Sequence, residues 1–412
     1  MDPDTAFIDL LLLVTLVAYA VVFSHSVIRD NILNPANVLA GAMIAPLVTA
    51  VGTSAGVRPE TEVIWLLFTF LFLLGYTLTK HTSNVIKFHG ENTHRAWFDP
   101  RIIAVFLSLG LLGFVLGAIN TYEIAQSGPR GVLYNIRAGR TKQHVDLGTA
   151  SYLLPFLHVG VLMMIVRGFR ARQYAVFAGF WLMSVGFTLA RTKLLLCLLA
   201  LTTAIYYRKT ILDGYRVGVK PVVSLVAIFG GGFVLMGSVL NKLDGGPLSG
   251  ILFYFTIPIT TFDKSIRPLG RCTDSVFDAT ALYPFNRILQ KLGLSNTLEY
   301  QCGVPKGVAK SMLAIPYLDF GPLGLVVVPV VIGLVYGLVF AQVKRGNPYM
   351  IAFYSLFVFP LAISFYGYDF NRVIWPYYLL IFAGVYVIGG PLQAIRNQVV
   401  DSEVENEEKS VE

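Results

Sequence analysis

The chain has 412 residues, a formal net charge of +8 and a mean hydropathy of +0.65, with 55% of residues hydrophobic and only 14% charged. A soluble globular domain carries about 25% charged residues, so this composition excludes an ordinary soluble domain. Nucleic acid is not indicated by the positive balance, because no soluble stretch interleaves a basic patch with aromatics. Basic loops on an apolar chain set topology or meet lipid headgroups.

Read in order, the first apolar run, Ala6–Ile28, follows Asp2 and Asp4 rather than a basic segment. It reads as a retained span and not as a cleaved signal peptide. Further apolar runs lie at Ala36–Ser54, Glu62–Leu78, Ile102–Thr121, Ser151–Val166, Tyr174–Ala190, Leu194–Tyr207, Pro221–Leu240, Gly321–Val343, Tyr349–Tyr366 and Val373–Leu392. Together they predict an all-α polytopic membrane protein of about eleven spans, at roughly 20 residues each. Residues 1–240 would form a bundle of spans one to eight with a polar loop at 123–150, and 241–320 a large loop. Residues 321–395 would hold the last three spans, followed by an acidic, disordered tail at 396–412. Leu194–Tyr207 is short, and its flanking cations must snorkel for it to reach across.

Orientation follows from Lys and Arg in the short loops. With the N-terminus outside, the inner short loops carry 15 cations and the outer ones 8. The bias predicts an outer N-terminus and an inner C-terminus. The long loop is left out of that count, because long loops cross largely regardless of charge.

That loop, Asn241–Phe320, holds eight Lys or Arg, six acids, and two of the three cysteines, Cys272 and Cys302. On an oxidising outer face the two cysteines are candidates for a disulfide, with a pair of free thiols as the alternative. Cys197 lies within a span as a small apolar filler. Gly250–Phe262 is aromatic, apolar and too short to span, then meets Asp263 and Lys264. It reads as an interfacial or re-entrant segment. Arg267 and Arg271 follow, with Pro268 and Gly270 between them. No Cys-x-x-Cys, His-Glu-x-x-His or phosphate-binding Gly-Lys-Ser loop is present, and Gly230-Gly231-Gly232 is not a nucleotide loop.

With the long loop included, the outer side carries about as many cations as the inner, against the usual bias. The excess gathers at Arg137 and Arg140 in the first outer loop, at Arg191 and Lys193, at Arg267 and Arg271, and at Arg372. Guanidiniums at headgroup depth suit a phosphate-bearing ligand, because the planar fork donates two parallel hydrogen bonds. Contact with ordinary lipid headgroups is the plainer reading. Asp263 reads as a base or as the partner of Lys264 or Arg267. Asp319 reads as a site residue or as the N-cap of the span that follows. Tyr254 and Tyr283 read as sugar-stacking residues or interfacial anchors, and His158 as a buried, hydrogen-bonded histidine facing the bundle.

Three features give a resemblance to a known family: Ala190-Arg191-Thr192-Lys193 leading into an apolar run, the long late loop, and Asp319-Phe320-Gly321-Pro322-Leu323-Gly324 opening the next span. In these the chain resembles the Wzy-type O-antigen polymerases, the oligosaccharide repeat-unit polymerases. O-antigen ligases share much of the layout, and a flippase for lipid-linked sugars is the competing transport reading. The resemblance implies a GT-C-like glycosyltransferase of a bacterial inner membrane, with a periplasmic N-terminus, long loop and active site, and a cytoplasmic C-terminus. It implies donor and acceptor glycans on undecaprenyl diphosphate, no cofactor or metal, and a chain-length regulator as a protein partner. Arg191, Arg267, Arg271, Asp263 and Asp319 would then serve catalysis, and Arg137, Arg140, Lys193, Tyr254 and Arg372 substrate binding.

Overall fold

The structure is a computed structural model, and it describes residues 33–53, 56–82, 98–126, 131–141, 147–215, 247–266, 311–367, 370, 372 and 374–387. These residues are almost entirely helical. In chain order the helices are α1 (Pro35–Gly52), α2 (Pro59–Thr82), α3 (Pro100–Gln126), α4 (Val132–Thr141), α5 (Ala150–Arg167), α6 (Ala171–Val185) and α7 (Arg191–Tyr207). A π-helical turn, Arg208–Leu212, extends α7. Then come α8 (Pro247–Ile266), α9 (Ala314–Phe320), α10 (Pro322–Lys344), α11 (Pro348–Ala362) and α12 (Ile374–Val387).

Six stretches are long and apolar enough to cross a membrane: α1, α2, α3, α5, α7 with its π-turn, and α10. Six predicted spans therefore coincide with helices of spanning length and composition. The predicted spans at Tyr174–Ala190, Tyr349–Tyr366 and Val373–Leu392 correspond to the shorter α6, α11 and α12. Those at Ala6–Ile28 and Pro221–Leu240 lie outside the described residues, as does the tail.

Local sequence explains where many of these helices start. Six of them (α1, α2, α3, α8, α10 and α11) open on proline, whose fixed φ suits the first turn and whose missing N–H is not needed there. Three of the prolines follow a capping side chain. Asn34 accepts from the Asn37 N–H at 2.8 Å, Asp99 from Arg101 at 2.7 Å, and Asn347 from Met350 at 3.2 Å. Helix α5 ends at Gly168, whose left-handed φ of 100° lets the chain turn while its N–H and that of Phe169 bond back to the last carbonyls.

The chain divides into two compact units. Unit one comprises Met1–Lys87, Val223–Ala341 and Phe357–Trp375. Unit two comprises Phe88–Val222, Gln342–Leu356 and Pro376–Glu412. In unit one, α2 and α10 approach through small residues: a Cβ on Gly75 would strike the Val330 carbonyl, and one on Gly333 the Phe72 carbonyl. In unit two, Gly110 and Gly113 of α3 lie directly on the backbone of α5 at Leu157 and Leu153. Close backbone approach of this kind is how helices associate where lipid removes the hydrophobic drive between them.

Candidate functional site

In unit one, Asp263 is held at both its carboxylate and its backbone carbonyl. It sits in the last turn of α8 with its side chain 4% exposed. Arg58 donates from Nε to its carboxylate at 2.8 Å and from Nη2 to its backbone carbonyl at 3.0 Å. The Thr61 hydroxyl donates to the same carboxylate oxygen at 2.6 Å. Burial pushes this carboxyl up, but Thr61 and Arg58 outweigh it and hold the group below its ordinary value. A carboxylate so stabilised is a weak proton acceptor. Its geometry is that of a clamp, fixing the end of α8 to the turn that starts α2. The salt-bridge partner seen among the described residues is Arg58; Lys264 is exposed, and Arg267 lies outside the described residues. Sequence alone gives Arg58 and Thr61 no role. The available signal is that an acid in an aromatic helix needs a cation, and Arg58 stands just before a span.

Beside the clamp, Phe262 meets Trp65 of α2 at 6.3 Å and Tyr317 of α9 at 6.2 Å, both edge-on. Further up α8, Tyr254 lies 6.0 Å from Tyr366, and Phe255 lies 5.2 Å from Phe365. The Met312 N–H donates to the Ser364 carbonyl at 2.7 Å. These contacts gather α8, the 311–320 segment and the turn after α11. The aromatic piece predicted as an interfacial segment is thus the middle of a 20-residue helix.

Asp319 is buried within α9, 4% exposed. It is not the N-cap of the following helix, because α9 continues to Phe320 and Gly321 breaks the chain at a left-handed φ of 65° before Pro322 opens α10. Gly324 then packs so tightly on the Pro316 carbonyl that any Cβ would collide with it. Both glycines of Asp319-Phe320-Gly321-Pro322-Leu323-Gly324 are therefore required by backbone geometry. Arg372 is exposed just ahead of α12, and its carbonyl accepts from the Trp375 N–H at 3.1 Å.

In unit two, Ala190-Arg191-Thr192-Lys193 is the N-terminus of α7. Three local features there work against an ordinary helix start. Leu189 adopts a left-handed φ of 47°, the one such non-glycine among the described residues, at a cost of about 1–2 kcal/mol. The N-cap is Ala190, which has no side chain to satisfy the first N–H groups. The first turn holds no acid and two cations at the positive end of the helix dipole, the opposite of what a helix favours. Together these make a helix start that gains from an anion. Nothing in the sequence signals Leu189, because leucine does not advertise a left-handed backbone.

Arg137 and Arg140 lie three positions apart in α4, which Asn135 ties to the end of α3 by donating to the Ala125 carbonyl at 2.9 Å. His158 stacks on Trp181 at 4.4 Å, with Nδ1 2.5 Å from the Tyr378 hydroxyl. It is the bundle-facing histidine expected. Arg267, Arg271, Cys272, Cys302 and Tyr283 lie outside the described residues.

The described helices define an all-α membrane protein. No family model, curated protein or solved structure matches the chain.

Proposed function

We infer that the chain is a polymerase of lipid-linked oligosaccharide repeat units, a glycosyltransferase acting at the outer face of a bacterial inner membrane. The growing glycan would pass from undecaprenyl diphosphate to a hydroxyl of a new repeat unit carried on the same lipid. In that step the bond between the sugar's anomeric carbon and the diphosphate oxygen breaks. A bond to the acceptor oxygen forms, and the hydroxyl proton goes to a base. Negative charge grows on the departing diphosphate, and preplaced cations and N–H groups stabilise it. The observation that supports the reading is the start of α7, where a strained Leu189 and an uncapped Ala190 precede Arg191 and Lys193. Strain and unfavourable charge in one turn are the mark of a segment shaped for a ligand rather than for stability.

The test is Arg191→Ala in cells lacking the native copy, with lipopolysaccharide separated on a gel and protein level checked by immunoblot. Loss of one such donor costs on the order of 100–1000-fold in rate, so the ladder of long chains should vanish while one repeat remains on the lipid core. Arg191→Lys, keeping charge but not the fork, should leave a shortened ladder. An unchanged ladder overturns the reading. Complete deletion leaving no repeat on the core would make the protein a ligase, and repeat units missing from the outer leaflet would make it a flippase.

A further inference from the structure

Unit two holds a second concentration of positive charge that plays no part in the function above. A cavity of about 570 Å³ opens where α5, the π-turn after α7 and α10 all end. Four cations line it: Arg167, Arg208, Lys344 and Arg345. Among its lining residues the acid is Asp213, whose carboxylate lies 3.5 Å from Arg208 Nε, both side chains being partly exposed.

We propose that this cavity is a binding site for a phosphate group at the membrane–water boundary, supplied by an anionic lipid headgroup or by a soluble phosphate ester. The plainer role for these cations is to cap helix C-termini and set topology. Three converging C-termini carry about half a negative charge each, which offsets part of the cationic excess. Among the lining residues, four cations thus share the hollow with one acid and three helix ends. Topology needs cations in the loops, but not a shared hollow. The volume is far above the roughly 30 Å³ of one water and admits a headgroup.

Local backbone shapes the hollow. The π-turn Arg208–Leu212 widens the helix end, a feature frequent at functional sites. Gly168 lets the Arg208 guanidinium lie close, since a Cβ there would come within 3.3 Å of Arg208 Nη2. Three guanidinium forks and one ammonium on three helix ends fit a phosphate's several oxygens. Basic pockets between membrane helices bind anionic headgroups in this way.

The test uses the purified, delipidated full chain in detergent, followed by thermal unfolding. Micelles doped with phosphatidylglycerol, micelles doped with phosphatidylcholine, and inorganic phosphate alone are titrated in parallel. Phosphatidylglycerol should stabilise the protein where phosphatidylcholine does not, and the double variant Lys344→Gln/Arg345→Gln should raise its half-saturating concentration by about tenfold or more. Arg345→Lys, which keeps the charge but not the fork, should fall between wild type and the double variant. Stabilisation by inorganic phosphate alone, lost in the same variant, supports the soluble source. Should the double variant fail to fold, native mass spectrometry of wild type against Arg345→Gln decides, with anionic lipid retained by the first and depleted in the second. No response to either phosphate source, or equal responses in wild type and variants, overturns the site.

Discussion

At the scale of single residues, Asp263 is the place where sequence and stability meet most directly. Its carboxylate is ionised, buried and bonded to Arg58 and Thr61. Asp263→Asn keeps the shape and the backbone carbonyl acceptor but removes the charge, leaving the guanidinium against a neutral amide. Arg58 is 38% exposed and can turn to water, so the loss should be about 1–2 kcal/mol rather than the 3–5 of a fully buried pair. Unfolding in detergent by urea or heat measures it. The pH dependence has a definite sign. The folded-state value of this carboxyl is lowered, so its contribution is complete above the unfolded-state value of about 3.9 and is lost as pH falls through the folded one. The excess stability of wild type over Asp263→Asn should therefore hold steady from about pH 5 to 8 and shrink below about 4. An excess that grows on acidification would mean that the clamp is not made by the ionised group.

Among elements, the tightest constraints come from residues with no side chain. Gly333 and Gly337 of α10 form a small-xxx-small pair against Phe72, Tyr76 and Thr79 of α2. Gly324 does the same job against Pro316. Gly384 in α12 is different, since a Cβ added there would meet nothing within 4 Å. Gly324→Ala should therefore cost about 1–3 kcal/mol, because the neighbour is backbone and cannot yield. Gly384→Ala should be neutral, or stabilising by about 0.5–1 kcal/mol, because alanine holds a helix better than glycine. Paired unfolding curves check both at once; equal effects would show that α9 and α10 do not pack as described. These stripes are present in the sequence as Gly333-x-x-x-Gly337 and Gly113-x-x-x-Gly117, yet the glycines that stand out there are Gly230–Gly232. Helix existence is easy to read, since an unbroken apolar run of spanning length admits little else. Helix starts read from hydropathy alone miss by a residue or two at α1, α3 and α11, although Asn34-Pro35, Asp99-Pro100 and Asn347-Pro348 mark them. The Arg58–Asp263 clamp is not legible, because nothing local links residues 205 apart.

For the molecule as a whole, the fold constrains how the chain threads a membrane. The residues that end α5, the π-turn after α7 and α10 line one cavity within unit two. The loops after Arg167, Leu212 and Lys344 then share a side. If α7 and α10 both end on that side, an odd number of crossings separates them; the sequence predicts one there, Pro221–Leu240, which lies outside the described residues. Those three loops belong to the set that carries 15 cations against 8 and that charge alone places inside. Geometry and charge bias thus constrain topology by separate routes. Alkaline phosphatase fused after Arg345 should be inactive, and green fluorescent protein at the same point should fluoresce, if that loop lies inside as the charge bias predicts. Fusions after Gln126, one crossing of α5 away from the Arg167 loop, should give the reverse pattern. The measurement has a built-in check, since fusions after Leu212 must behave like those after Arg345 whichever way the protein faces. If the two behaved oppositely, the shared cavity and the phosphate site proposed for it would both be untenable. If they agreed but lay outside, only the orientation would be inverted, and with it the proposal that the start of α7 meets its diphosphate on the outer face.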